Sequence, residues 1–331
     1  MSRRSRLDRR RFIGSTVAAA ALTIAAPRLS FAQAYPSRPV RVIIPFTPGG
    51  APDVLLRLVA QKLSEKWGQP VVVENRAGGN TLTGTVAVTK GANDGYTLLH
   101  TGDQTFVLNP LLYPTLPYSM KELDPIILMA SIPHMLAVSH KVPASNVKEL
   151  IALAKQKPDT MTYGTTGPGT IQRIATEYFA GIAGIKLVHV PYRGANETTM
   201  AILSGEIDIT INGMSNILPH IEGGKLKALA ISTLTRHALA PNTPTMQEAG
   251  VEGYSSQGAF GLFAPVGVPA EIRAKVHTDT AEILKRPDVV RALEDRSFQV
   301  DNVGPDGFAK LIAAETEKWA KVIRAANIKG D

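Results

Sequence analysis

A strand–turn–helix rhythm that runs through the chain twice restricts the fold more than any other feature. Short apolar runs, bounded by turns rich in glycine and proline, alternate with segments whose apolar residues recur at helical spacing. In the first series Val40–Ile44 reads as a buried strand and Pro45-Phe46-Thr47-Pro48-Gly49-Gly50 as a loop. Val54, Leu55, Leu58, Val59 and Leu63 then line one face of a helix. Residues 71–73 form the next strand, and a helix at 81–88 follows Gly78-Gly79. Asn93-Asp94-Gly95 turns the chain into a strand at 96–100. The second series opens near 135–138. It continues with a helix at 147–155, a strand at 160–163, a Gly/Thr/Pro loop and a helix at 171–180. A strand at 187–190, a helix at 198–203 and strands at 207–211 and 226–231 follow. From Pro269 onward the pattern is helical, broken at Pro287, and the last helix carries a stripe of Leu311, Ile312, Glu315, Trp319, Val322 and Ile323. This alternation predicts an α/β architecture with a largely parallel sheet. Two such series predict two lobes with a cleft between them.

Charge divides the chain differently. The 331 residues carry a formal +8, which alone would suggest a nucleic-acid or membrane-surface partner. Residues 1–34, however, hold seven basic residues and one acid, a net +6, so the remainder is nearly balanced at +2. Arg9-Arg10-Arg11-Phe12-Ile13 precedes a weakly apolar, alanine-rich run and then Ala32-Gln33-Ala34. That order predicts an export signal with a twin-arginine character, cleaved after Ala34 or after Ala32, with the general secretory route left open. The mature chain is then expected in the periplasm, without nucleic acid as a partner. Cysteine is absent, which excludes disulfides, thiolate catalysis and Cys-based metal sites.

Enzymatic constellations are missing from the sequence. The seven histidines show no His-Glu-x-x-His or other close metal spacing. No Walker loop and no Gly-x-Ser-x-Gly elbow occurs. Gly164-Thr165-Thr166-Gly167-Pro168-Gly169 is glycine-rich, but Gln172 stands where a dinucleotide fingerprint needs its third glycine. No catalytic residue, metal or cofactor is therefore expected. Two loops carry more weight. Pro48-Gly49-Gly50-Ala51-Pro52-Asp53 lies between a strand and a helix, and residues 164–170 occupy the equivalent place in the second series. Such turns expose backbone N–H groups at the positive end of a helix dipole and suit a carboxylate. In open α/β sheets they line the ligand crevice.

Several ordered motifs resemble one family. Pro36-Ser37-Arg38-Pro39-Val40-Arg41, the run ending in Pro48-Gly49-Gly50, and Gly68-Gln69-Pro70-Val71-Val72-Val73-Glu74-Asn75-Arg76 are similar to the Bug family. Its members are extracytoplasmic solute receptors of tripartite tricarboxylate transporters. The likeness continues through Asp94-Gly95-Tyr96-Thr97-Leu98-Leu99, His189-Val190-Pro191-Tyr192-Arg193-Gly194, Leu218-Pro219-His220-Ile221 and Gly261-Leu262-Phe263-Ala264-Pro265, covering residues 35–328. The resemblance implies a two-lobed periplasmic-binding-protein fold of type II, the Venus-flytrap arrangement. One lobe is expected at 35–133 plus 256–331 and the other at 134–255. It implies a small organic carboxylate held by Phe46, Pro48, Gly49, Gly50, Ala51 and Asp53 on one side. Thr165, Thr166, Gly167, Gly169, Thr170, Arg173 and Asn212 are expected on the other. The expected partners are membrane transporter subunits, and the chain is expected to be a monomer. A sensor that presents its closed form to a membrane sensor kinase is the alternative, and an exported enzyme a more remote one.

Some residues depart from the family's pattern. Pro52 stands where a hydroxyl residue is common and supplies neither N–H nor hydroxyl, although it suits a first helical turn. Arg173 either meets a second acidic group on the ligand, or points to solvent, or pairs with Glu177 one turn on. Asn212, where relatives often carry Asp, argues against an ammonium-bearing ligand. Ala259 replaces a frequent aromatic, which would enlarge the cleft unless Phe260 compensates. Both favour a non-amino carboxylate. Asp208 is expected to shape a strand end.

Overall fold

The computed structural model describes residues 35–167 and 169–330. The expected signal peptide lies outside them. The first unit runs β1 (Val40–Ile44), α1 (Ala51–Trp67), β2 (Val71–Asn75), α2 (Leu82–Thr89) and β3 (Thr97–Gly102). Helix α1 begins where Gly50 ends the loop and Pro52 occupies the first turn. It ends at Gly68 in the left-handed region, φ 62°, whose N–H bonds Ser64 O. Its buried face is Leu55, Leu56, Val59 and Leu63, as the helical spacing predicts. β1 lies between β2 and β3, parallel to both, with Val40 opposite Val71 and Arg41 opposite Thr97.

After β3 come a π-helical turn (Gln104–Leu108), the short α3 (Asn109–Leu112) and a 3-10 turn (Met120–Glu122), which the sequence reading did not anticipate. Then comes β4 (Leu123–Val138), the structural spine of the molecule. The chain goes on through α4 (Val147–Gln156), β5 (Thr162–Thr165), α5 (Ile171–Ala183), β6 (Val188–Pro191), α6 (Ala195–Ser204), β7 (Ile209–Gly213), α7 (Met214–Glu222) and β8 (Lys227–Ile231). It closes with β9 (Gln257–Pro265), α8 (Ala270–Leu284), α9 (Pro287–Glu294), β10 (Gln299–Val303) and α10 (Pro305–Ala325).

The sheet is mixed, which corrects the expectation of a largely parallel one. Only the outer strands are parallel: β1 with β2 and β3, and β5 with β6 and β7. The centre is antiparallel. β9 runs against β3 and β4, and β4 also runs against β7, β8 and β10. The tail needs a second correction: Pro287 starts α9 rather than merely ending a helix, and β10 interrupts the helical run.

β4 changes partners along its length. Up to Pro133 it pairs with β9, and from His134 with β7. The return connection crosses at Ser232 and Ser256. His134 N donates to Ser232 Oγ at 2.8 Å, Ser232 N to His134 O at 2.9 Å, and Ser256 N to Ser232 O at 3.1 Å. His134 Nδ1 lies 2.7 Å from Ser256 Oγ. The two connections between the half-sheets are thus tied to each other by short polar contacts.

The first half-sheet packs Ile43, Leu99, Phe106, Leu128, Phe263 and Trp319 into one core, and Ile171 and Ile174 of α5 join it. Each such aliphatic side chain contributes about 1.5–3 kcal/mol by leaving water. The second half-sheet has a core on each face. Leu136, Tyr163, Phe179 and Tyr254 lie on one, and Met135, Ile202, Met214 and Ile217 on the other. Among the described residues no helix is long and apolar enough to cross a membrane.

Candidate ligand-binding site

The first loop is shaped by a carboxylate that is itself fully engaged. Asp53, 3% exposed, accepts from Gly49 N at 3.0 Å, Arg57 Nε at 2.9 Å and Asn75 Nδ2 at 2.9 Å. Asn75 also donates to Phe46 O at 3.1 Å. Burial pushes the Asp53 carboxyl up, but the hydrogen bonds from Arg57, Gly49 and Asn75 outweigh it and hold the group below the usual value. Asp53 therefore fixes the path of the loop from Phe46 to Gly49, where φ reaches +83°, and the Gly49 N–H is spent on it. Among the described residues, the N–H groups of Gly50 and Ala51 have no acceptor. They point out of the N-terminal end of α1, where partial positive charge accumulates.

The second loop repeats the plan with hydroxyls. Thr165, fully buried, has its Oγ1 2.7 Å from His189 Nε2 and 3.0 Å from Gly167 O. Thr170 Oγ1 donates to Gly167 O at 2.8 Å, and Thr166 Oγ1 to Gln172 Oε1 at 3.3 Å. Gly167 sits at φ +131°, where a side chain would be strained. Thr165 and Thr170 are thus turned inward to build the turn. The helix that follows, α5, begins at Ile171 directly after Thr170.

Arg173 and Asn212 are placed differently. Arg173 lies in the first turn of α5 beside the Tyr163 hydroxyl, which hydrogen-bonds Glu177. Burial and Glu177 push the phenol up, and Arg173 opposes them. Asn212 is the last residue but one of β7 and is 1% exposed. Its Oδ1 accepts from Gly213 N at 2.8 Å and Asn216 Nδ2 at 3.4 Å. Its Nδ2 is buried with no partner among the described residues, a donor that a ligand oxygen would satisfy. Asp208 Oδ2 accepts from Thr162 N at 2.8 Å and Thr162 Oγ1 at 3.0 Å, tying the ends of two strands.

A third turn, which sequence reasoning missed as part of the site, brings the halves together. Gly78, Gly79, Asn80 and Thr81 have φ of 132°, 55°, 54° and 73°. Positive φ is rare for a β-branched residue such as Thr81. A buried polar network holds it there. Thr81 Oγ1 accepts from Thr105 Oγ1 at 2.8 Å, and Asn80 Nδ2 donates to Asn109 Oδ1 at 2.7 Å and to Tyr113 OH at 3.2 Å. Asn80 faces Gly169 so closely that a Cβ there would lie 2.4 Å from Asn80 Nδ2. On its other side this turn leads into α2, where a Cβ on Gly84 would lie 2.8 Å from Pro45 Cβ. The three turns are therefore neighbours. The available signal was Gly78-Gly79-Asn80 between β2 and α2, a glycine pair of the same kind as Gly49-Gly50.

Of the histidines, His100 and His134 are buried, while His140 is exposed and the others are half-buried. His100, fully buried, lies 3.1 Å from Pro52 O and 3.2 Å from Gly261 O, and burial lowers its pKa to about 4. No group of three or more metal-binding side chains occurs among the described residues. A cavity of about 280 Å³ is lined by none of the expected site residues.

Two lobes built on one shared strand, with glycine-rich strand-to-helix turns meeting between them, define a solute-binding protein. Comparison with known proteins agrees. A model described as "Tripartite tricarboxylate transporter family receptor" matches residues 55–328. The protein BugT of Bordetella pertussis is 34% identical over 300 residues, 90% of this chain and 92% of BugT. The solved structure of R. palustris Rpa4515 with adipate superposes with a TM-score of 0.83 at 32% identity, covering 89% of this chain and 99% of that one. MatC (Rpa3494) from Rhodopseudomonas palustris with bound malate gives 0.80 at 27% identity, covering 87% and 100%. The chain belongs to the tripartite tricarboxylate transporter receptor family, to which the Bug proteins are related.

Proposed function

We propose that this chain is a periplasmic receptor that captures a small organic carboxylate between its lobes and delivers it to a tripartite tricarboxylate-type membrane carrier, without catalysing a reaction. The observation that carries this reading is the meeting of glycine-rich turns from both half-sheets, with the Gly50 and Ala51 N–H groups still open. A carboxylate placed there gains charge-assisted hydrogen bonds and the favourable end of a helix dipole. The adipate and malate in the two R. palustris structures support the ligand class. Gly50, Ala51, Gly169 and Asn212 are the residues we assign to direct contact, joined by Asn80. Asp53, Thr165 and Thr170 hold the turns in shape. Arg173 is set against Tyr163 and shapes the start of α5. The lobe boundaries at 133/134 and 255/256 fit the change of partners along β4.

Ile171 and Ile174 of α5 pack into the core of the opposite half-sheet, which helps keep water from a ligand held between the turns. A thermal-shift panel of adipate, malate, citrate and benzoate on the exported form tests the reading. A ligand at 100 times its Kd stabilises by about 2.7 kcal/mol through mass action, so at least one acid raises the melting temperature by several degrees. A flat response across the panel contradicts the assignment. Co-purification with a carrier subunit, rather than with a sensor kinase, tests the delivery step.

A further inference from the structure

The cavity of about 280 Å³ opens where the half-sheets join, lined in part by residues 232–235 and 255–257 of the two crossing segments. Its apolar lining is Leu311 and Ala259, with Phe106 and Val107 buried behind them. Its polar groups are Asp103, Glu315 and Lys318, with uncharged hydroxyl and amide side chains around them. Asp103 directly follows β3 and is 8% exposed. Its carboxylate lies beside the backbone N–H groups of Gln104 and Ala259, at the end of the β3–β9 ladder.

Charge in this cavity does not balance. Lys318 Nζ lies 3.5 Å from the Glu315 carboxylate and 4.3 Å from the centroid of the Trp319 ring, so its position is set by those two groups. Asp103 remains as a second carboxylate, and burial with the nearby Glu315 pushes its pKa up to about 7, against the pull of the two N–H groups and Lys318. Two further titratable groups lie near this junction: His134 is held neutral, its pKa lowered to about 4 by burial and by Lys318, and Asp301, which accepts from Ser131 Oγ, has its pKa raised to about 6 by burial. A cation entering the cavity relieves both the buried charge of Asp103 and its repulsion with Glu315.

We propose that this cavity is a second binding site, separate from the carboxylate turns, for a small organic cation. Its ammonium or guanidinium group sits between Asp103 and Glu315, and its hydrocarbon body lies on Leu311 beside Ala259. An occupant also touches both crossing segments. The inference stands independently of the carboxylate reading, because none of the residues at the turns lines the cavity.

The test titrates the full mature chain with benzylamine, protonated throughout pH 6–8, and with benzyl alcohol as a neutral probe of similar shape. The amine is expected to bind saturably and about tenfold or more tighter than the alcohol at pH 8. Its affinity rises up to about tenfold from pH 6 to pH 8 as Asp103 ionises. Asp103→Asn abolishes that pH dependence and moves the amine toward the affinity of the alcohol. Ala259→Leu, which fills the apolar end, weakens both probes. Glu315→Gln, at a half-buried position, lowers amine affinity in the same direction and serves if Asp103→Asn does not fold. Equal affinity for the two probes, an amine affinity indifferent to both acid substitutions, or no saturable binding overturns the proposal.

Discussion

Gly169→Ala is the sharpest perturbation of the meeting between turns. Its added Cβ would stand 2.4 Å from Asn80 Nδ2 and 3.4 Å from Leu112 Cδ1, whereas carbon contacts relax at about 3.5–4.0 Å. Something must move by roughly 1 Å. Asn80 cannot swing freely, because its side-chain amide donates to Asn109 Oδ1 at 2.7 Å and to Tyr113 OH at 3.2 Å. Overpacking of this kind costs about 1–3 kcal/mol. If the contact belongs to the ligand-holding state, that energy appears as a Kd about 5- to 150-fold weaker. Isothermal titration with the best carboxylate of the panel measures it for the wild type, Gly169→Ala, Asn80→Gly and the double variant. Glycine suits Asn80, whose φ is +54°. Adding Gly169→Ala to Asn80→Gly is then expected to cost less than about threefold, a coupling the double-mutant cycle isolates. Wild-type affinity in Gly169→Ala, or equal losses in both backgrounds, refutes the proposed contact.

Three further perturbations address the supporting structure. Asp53→Ala strips acceptors from Gly49, Arg57 and Asn75. It should lower stability by about 2–4 kcal/mol in urea unfolding and weaken carboxylate binding; unchanged affinity would show that the loop keeps its shape without Asp53. Trp319→Ala removes a side chain 1% exposed that meets Tyr178 of α5 edge-on at 5.9 Å. A loss of about 3–5 kcal/mol is expected, and an unaltered melting temperature would contradict the packing described. Asp103 has its pKa raised to about 7 in the folded chain from about 3.9 in the unfolded one. Its stabilising contribution is complete below the lower value and lost as pH rises through the upper one. Urea midpoints should therefore fall more for the wild type than for Asp103→Asn between pH 4.5 and pH 7.5, and parallel midpoints would show that Asp103 titrates normally.

Where local chemistry decides the element, the sequence is readable. β1, α1 and β2 follow from apolar period and from Gly50, Pro52 and Gly68 at the helix ends. β4 was visible only at its end. Both its faces are buried, so no alternation marks it, and Pro125 and Pro133 argue against a central strand. Pro133 sits where the ladder changes partners, so its missing N–H costs little. The antiparallel centre rests on β9 pairing with β3 and β4, more than a hundred residues away in sequence, which no local pattern records. β10, Gln-Val-Asp-Asn-Val, is too polar to read as a strand.

The site divides in the same way. Both glycine-rich turns were legible as turns, because glycine and proline mark the break between a strand and a helix. The roles of their side chains were not. Asp53 and Thr165 carry polar groups expected at a ligand, but each turns back to satisfy its own loop. Asn80 was overlooked because its importance lies in meeting Gly169, 89 positions further along the chain.

Binding of a carboxylate through its charge is the claim on which the functional account rests. Isothermal titration of the mature protein with the best carboxylate of the panel, and with its primary amide of nearly the same shape, tests it directly. The account predicts saturable one-to-one binding of the acid and an amide about 100-fold weaker or worse. An amide that binds as tightly as the acid, or no binding by any acid of the panel, would contradict it.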